Sequence, residues 1–145
     1  TDVSARLALV GAALAVLDAF EAVDAQGRDV LARNRVAAER LTQRAQVLSR
    51  HPRVKASRHL GMVWAWDVDT AEPTFASRYH RAALSAGLLL RPIGSTLYFM
   101  PPYVLTEADQ DALVDGAVRV LDQVLAEVDQ LSPGAAGQGT EVSVP

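Results

Sequence analysis

Arg91 is the residue of this chain best placed to do chemistry. It follows three leucines, Leu88 to Leu90, and precedes Pro92-Ile93-Gly94-Ser95, with Tyr98 a short distance on. An apolar run of this kind predicts a short buried strand. A guanidinium straight after it stands at a strand end, where a pocket mouth can open. Pro92 fixes φ and Gly94 is free to take a positive φ, so residues 92 to 95 carry turn chemistry. Leu97 to Met100 suit a second strand, which Pro101-Pro102 end because a proline cannot donate to a ladder. The spacing therefore puts Arg91 and Tyr98 on two short strands, close enough to serve one site. The chemistry of such a site is carboxylate recognition. An arginine holds a carboxylate through two parallel hydrogen bonds and keeps its charge at any working pH. By residue type alone, Arg91 reads rather as an ordinary strand-end arginine in a structural ion pair. Tyr98 serves equally as a half-buried sheet aromatic.

Other chemistries find little support. The chain has no cysteine, which excludes disulfides, thiolate metal sites and cysteine nucleophiles. His51, His59 and His80 are not at metal-ligand spacing and read as isolated surface or boundary residues. Glu107, Asp109 and Asp111 could suggest acid–base or metal work, but they open a helix without a histidine partner, and capping accounts for them. No Ser/His/Asp set, phosphate loop or zinc pattern occurs. Half of the 145 residues are apolar, 21% are charged and the net charge is −3, which is globular composition with nothing to attract nucleic acid. The basic residues are thirteen arginines and a single lysine, Lys55. The chain begins at Thr1 rather than a methionine.

The elements that would position Arg91 follow from periodicity. Residues 5 to 24 read as a helix apolar on most faces, normally buried between other elements. Its uninterrupted run, Leu7 to Leu17, falls short of the roughly 20 residues that span a bilayer, and a signal peptide is the alternative weighed for it. Asp29 can cap a second helix running to about Ser49, with Val30, Leu31, Val36, Ala37, Leu41, Ala45 and Leu48 on one face. Arg33, Arg35, Arg40 and Arg44 fall on a basic outer side, read as a solvated face. Val54 to Ala56 and Leu60 to Val68 predict strands, with Gly61 as a bulge or close approach between them. Trp64 and Trp66 share one face of a strand and read as core, with a pocket wall or interface as the alternative. The apolar run around them predicts a central strand covered on both faces. Thr74 can cap a helix from Phe75 to Ala86 with Gly87 after its end, feeding the strand Leu88 to Leu90 as an α/β unit. Thr106 opens the last helix, and residues 132 to 145 read as a disordered tail. The class is α+β in isolation, a small mostly antiparallel sheet covered by helices.

Arg91-Pro92-x-Gly94-x-x-x-Tyr98-x-Met100-Pro101-Pro102-Tyr103 resembles the C-terminal domain of the adenosylmethionine-8-amino-7-oxononanoate aminotransferases. The resemblance runs from about residue 8 to residue 130. It implies the small C-terminal domain of a fold-type-I α/β pyridoxal-phosphate transferase, over residues 1 to 131, leading in with an interdomain helix. The implied activity moves an amino group from S-adenosylmethionine to 8-amino-7-oxononanoate in biotin biosynthesis, in the cytoplasm. The implied partners are the protein's own large cofactor domain and a second copy in a homodimer. Arg91 would bind the carboxylate of the keto substrate and Tyr98 would border the same pocket, whereas Tyr103 reads as packing beside Pro101-Pro102. A pyridoxal-phosphate enzyme needs a lysine to hold its cofactor, and Lys55 reads as a solvated one. The family's Gly-Asn-Pro-Leu-Ala segment is replaced by Ala5-Arg6-Leu7-Ala8-Leu9, so no phosphate contact is carried over to Thr1 or Ser4. No catalytic, cofactor-binding or metal-binding residue is expected in this chain, which reads as part of a larger protein and inactive alone. The alternatives are another class-III aminotransferase acting on ω-amino acids, and a non-catalytic domain binding a small acid or a partner helix.

Overall fold

The computed structural model describes residues 2–131; the tail expected at 132 to 145 lies outside the described residues. Five helices and three strands follow in the order α1 (Val3–Glu21), α2 (Val30–Arg44), α3 (Gln46–Ser49), β1 (Val54–Leu60), β2 (Val63–Val68), α4 (Phe75–Ser85), β3 (Thr96–Phe99) and α5 (Glu107–Leu131). The strands form one antiparallel sheet in the order β1-β2-β3. This is the small antiparallel sheet with helices that the sequence predicts.

Burial of one sheet face organises the domain. Trp64, Trp66 and Val68 of β2 and Leu97 and Phe99 of β3 are buried, and they pack with Leu41, Leu48, Phe75, Tyr79, Val114, Leu121 and Val124 from the helices. The two indoles are core, not interface. Each donates to a hydroxyl on the helical layer: Trp64 Nε1 to Thr42 Oγ1 at 2.9 Å and Trp66 Nε1 to Ser49 Oγ at 3.0 Å. The opposite face is not covered. Val63 is exposed, and Ala65, Asp67 and Tyr98 are half-buried. Coverage on both faces of β2 is therefore corrected to one.

Several local readings are corrected by the backbone. Gly61 is not a bulge. With φ 57° it opens a two-residue turn to Met62 that joins the pair Leu60 and Val63, the type II′ hairpin geometry that favours glycine first. The register irregularity lies between Val54 and Ala56. Leu88 to Leu90 form no ladder and are not a strand, so α4 does not feed an α/β unit. The reason is the helix end. Gly87, at φ 76°, donates to the Leu84 carbonyl and Leu88 donates to that of Ala83, a Schellman cap that turns the chain away from the helix axis. Thr74 does not cap α4 through its side chain; its hydroxyl donates to Glu72 instead. The second helix ends at Arg44 rather than about Ser49, with α3 following; across the two the buried stripe runs through Asn34, Leu41, Ala45 and Leu48, while Leu31 and Val36 face solvent. Tyr103 is exposed.

The helix α1 has no buried residue, because nothing among the described residues covers it. At 19 residues and a mean hydropathy of 1.8 it is long and apolar enough, by length and composition, to cross a membrane. The helix is longer than the uninterrupted run from Leu7 to Leu17 because it continues past Arg6 and Asp18 at its ends. Its apolar residues are spread around the axis rather than gathered in a stripe, so it presents no single docking face.

The basic side of α2 is only in part a solvated face. Arg40 and Arg44 both bind Asp111 of α5, at 3.0 and 2.6 Å, and Arg44 also reaches Asp115. At the start of α5, Asp109 accepts from the Thr106 hydroxyl and backbone N–H, while Asp109 N–H donates to Thr106 Oγ1. This reciprocal cap closes the helix start. Arg44 and then Arg40 hold the Asp111 carboxyl below its ordinary value of 3.8, and Thr106 does the same for Asp109. A carboxyl with a depressed folded-state pKa stabilises the fold above its unfolded value and loses that contribution as pH falls through the folded one. The melting temperature should hold from neutral pH down to about pH 5 and fall below about pH 4. Asp111→Asn should melt lower at neutral pH and show a shallower acid decline. An unchanged melting temperature in that variant would mean the α2–α5 ion pairs contribute nothing.

Candidate functional site

Arg91 and Tyr98 line one cleft, of about 600 Å3, together with His80, Leu89, Met100 and Pro101 among others. The turn between them is tighter than a ladder. Ile93 and Thr96 exchange both backbone hydrogen bonds, at 3.0 and 2.9 Å, around the two-residue loop Gly94-Ser95, with Gly94 at φ 57°. Ser95 is tied back to the sheet, its carbonyl accepting from the Val68 N–H at 2.9 Å. Pro92 is buried, and Leu97 and Phe99 point into the core, so Tyr98 emerges on the other face beside Ala65. The two residues therefore do come together, with Arg91 on an extended segment rather than on a strand.

The electrostatics of the cleft are one-sided. Among the described residues no carboxylate lines it. A neighbouring cleft of about 500 Å3 shares Arg91 and His80 and adds Arg81, again without an acid. Among the described residues neither Arg91 nor Arg81 forms a salt bridge, whereas Arg28, Arg40, Arg44, Arg53 and Arg58 each hold a carboxylate. The structural ion pair weighed for Arg91 is thus not made among the described residues. An exposed guanidinium beside apolar and aromatic walls, with no acid to neutralise it, suits an anion carried on an apolar body.

His80 was read as an isolated boundary histidine, but its Nδ1 lies 2.8 Å from the Leu90 carbonyl, one residue from Arg91. The ten-residue separation carries no periodic signal that sequence could have used. Elsewhere, the buried Asn34 leaves its Nδ2 without a partner beside a cleft of about 520 Å3 that Tyr103 also borders. Buried Tyr79 donates its hydroxyl to the Ala117 carbonyl, and burial pushes its phenol up. The acidic residues at the start of α5 serve as cap and ion-pair partners, as above. Among the described residues no cluster of three or more His, Cys, Asp or Glu could hold a metal.

No protein-family model matches the chain. Two curated sequences do. One, from Helicobacter pylori, is 42% identical over 69 residues, covering 46% of this chain and 16% of its own length. The other, from Synechococcus elongatus, is 32% identical over 83 residues, covering 54% of this chain and 20% of its own length. Both carry the same name. The chain is similar to the adenosylmethionine-8-amino-7-oxononanoate aminotransferases. Among solved structures, a PLP-bound aminotransferase mutant from Vibrio fluvialis superimposes with a TM-score of 0.62 and 29% identity, over 68% of this chain and 24% of that one. The fold is that of transaminases, and the chain spans about a fifth of the length of the curated relatives it matches.

The one lysine that could hold pyridoxal phosphate covalently stands away from the Arg91 cleft. The one lysine, Lys55, stands on β1, the sheet edge opposite β3, where its amine pairs with Asp69 at 2.7 Å and its side chain is 61% exposed. It does not line the Arg91 cleft. Mixing the chain with pyridoxal phosphate and reducing with borohydride should therefore leave no stoichiometric adduct. A single stable label on Lys55, accompanied by transaminase turnover, would overturn this.

Proposed function

We propose that this chain is the small C-terminal domain, residues 1 to 131, of a pyridoxal-phosphate-dependent aminotransferase. The reaction moves an amino group from S-adenosylmethionine to 8-amino-7-oxononanoate, giving 7,8-diaminopelargonate for biotin synthesis in the cytoplasm. The observation that carries this reading is Arg91, without a carboxylate partner among the described residues, in an apolar cleft that no acid lines. The keto substrate has a carboxylate at one end of an aliphatic chain. A guanidinium fork suits the first, and Leu89, Met100 and Pro101 suit the second. The identity to the two curated aminotransferases supports the same assignment.

The roles divide between this chain and the rest of the protein. Arg91 anchors the carboxylate, Pro92 and Gly94 hold the turn that aims it, and Tyr98 borders the pocket from β3. The cofactor, when bound, supplies the electron sink that lets the amino group move. The lysine that holds it belongs to a large domain outside this chain, and a second copy completes a homodimer. The apolar surface of α1 is what those partners would cover. An ω-amino-acid aminotransferase would use the same arginine, and the choice of acceptor separates the two.

Replacing Arg91 by alanine in the complete, cofactor-loaded protein should mainly harm the half-reaction with the keto acid. A lost charge-assisted hydrogen bond is worth about 1.5–3 kcal/mol, so kcat/KM should fall about ten- to a hundredfold. Arg91→Lys should recover only part, because an ammonium lacks the planar fork. Single-turnover kinetics followed by cofactor absorbance would read each half-reaction. Equal loss in both, or a loss matched by a large fall in melting temperature, would return Arg91 to a structural role.

A further inference from the structure

The segment that carries Arg91 is held in an unusual way. Leu88 closes the α4 cap through its N–H and packs against Gly116, where an added Cβ would collide with its side chain. Ile93 closes the hairpin. Between these points, residues 89 to 92 form no ladder and make no backbone–backbone hydrogen bond. Leu89 is 83% exposed, and Pro92 has no N–H to give. Leu90 and Pro92 are buried, so their side chains anchor the segment, while no ladder holds its peptide planes. The one hydrogen bond to this backbone among the described residues is from His80 to the Leu90 carbonyl, at 2.8 Å.

From this we infer that His80 is a positioning residue for substrate binding: it locks the Leu90–Arg91 peptide and so aims the Arg91 guanidinium into the cleft. The inference rests on the carboxylate-binding reading of Arg91. The carbonyl can only accept, so Nδ1 carries the proton and donates. That assignment holds for the neutral ring and for the imidazolium, since Nδ1–H is present in both. The tether is therefore indifferent to the charge of the ring. His80 sits on α4, whose Phe75, Tyr79 and Ala83 are buried in the core, so the donor is fixed to the rigid layer of the domain. A peptide held at its carbonyl resists rotation, and the Arg91 Cα–Cβ direction is steadied with it. Binding geometry is sensitive to displacements of this size.

The test is a set of three substitutions in the complete, cofactor-loaded protein, with 8-amino-7-oxononanoate as the keto acid and S-adenosylmethionine as the donor. His80→Ala removes the donor. His80→Asn places an amide N–H where Nδ1 stands, whereas His80→Gln places one where Nε2 stands. Loss of one neutral hydrogen bond predicts a fall of about two- to tenfold in kcat/KM for the keto-acid half-reaction, mainly through KM. His80→Ala and His80→Gln should show it, and His80→Asn should stay near wild type. The donor half-reaction should be unchanged in all three, and the pH profile of the keto-acid half-reaction should not move. Asparagine as poor as alanine, equal loss in both half-reactions, or a loss that tracks a lowered melting temperature would overturn the inference. If Arg91→Ala harms the keto-acid half-reaction and His80→Ala does not, this inference alone fails. If Arg91→Ala leaves that half-reaction intact, the carboxylate-binding reading fails and this inference with it.

Discussion

The attachment of the helical layer to one sheet face is the constraint on which everything else depends. Trp64 and Trp66 are each 2% exposed. Burying side chains of this size stabilises by about 5 kcal/mol each on transfer bookkeeping, whereas one indole N–H bond contributes about 1 kcal/mol net. Burial therefore holds the layers together. The bonds to Thr42 and Ser49 do something different, since they choose which turn of α2 and α3 lies over which indole. Phe99 meets Trp66 edge-on at 4.7 Å, so the same core fixes β3. With Leu97 and Phe99 committed inward, alternation leaves Tyr98 outward, and the Gly94 turn then returns the chain to Arg91.

What was legible in the sequence is what local chemistry decides. Asp29 caps α2, its carboxylate accepting from the Ala32 N–H at 2.7 Å. Gly87 ends α4, Thr106 opens α5, and the two tryptophans share a face. Each of these follows from a side chain and its near neighbours. The readings that failed needed long-range information. Leu88 to Leu90 look like a strand because apolar runs do, yet the Schellman cap and Gly116 of α5 leave them no neighbour to pair with. Gly61 fits a bulge or a turn equally, and only the Leu60–Val63 pairing decides. The partners of Arg40 and Arg44 lie on α5, some seventy residues away, so a solvated face was the reasonable reading of α2 alone.

For the site, the motif placed Arg91 and Tyr98 in one cleft without help from the fold. It could not show that no acid among the described residues lines the cleft, nor that His80 of α4 bonds the Leu90 carbonyl just before the arginine. Both are matters of what surrounds the motif. On the proposed reading the labour divides, with the hairpin segment supplying the chemistry and α4 its aim.

The central claim is that the Arg91 guanidinium receives the substrate carboxylate. A crystal structure of the complete protein with 8-amino-7-oxononanoate bound tests it most directly. The account predicts the carboxylate within hydrogen-bond distance of both Arg91 terminal nitrogens, about 2.7–2.9 Å, with the aliphatic chain along Leu89 and Met100. A carboxylate held by another residue, with Arg91 turned to a carboxylate of the protein itself, would contradict it.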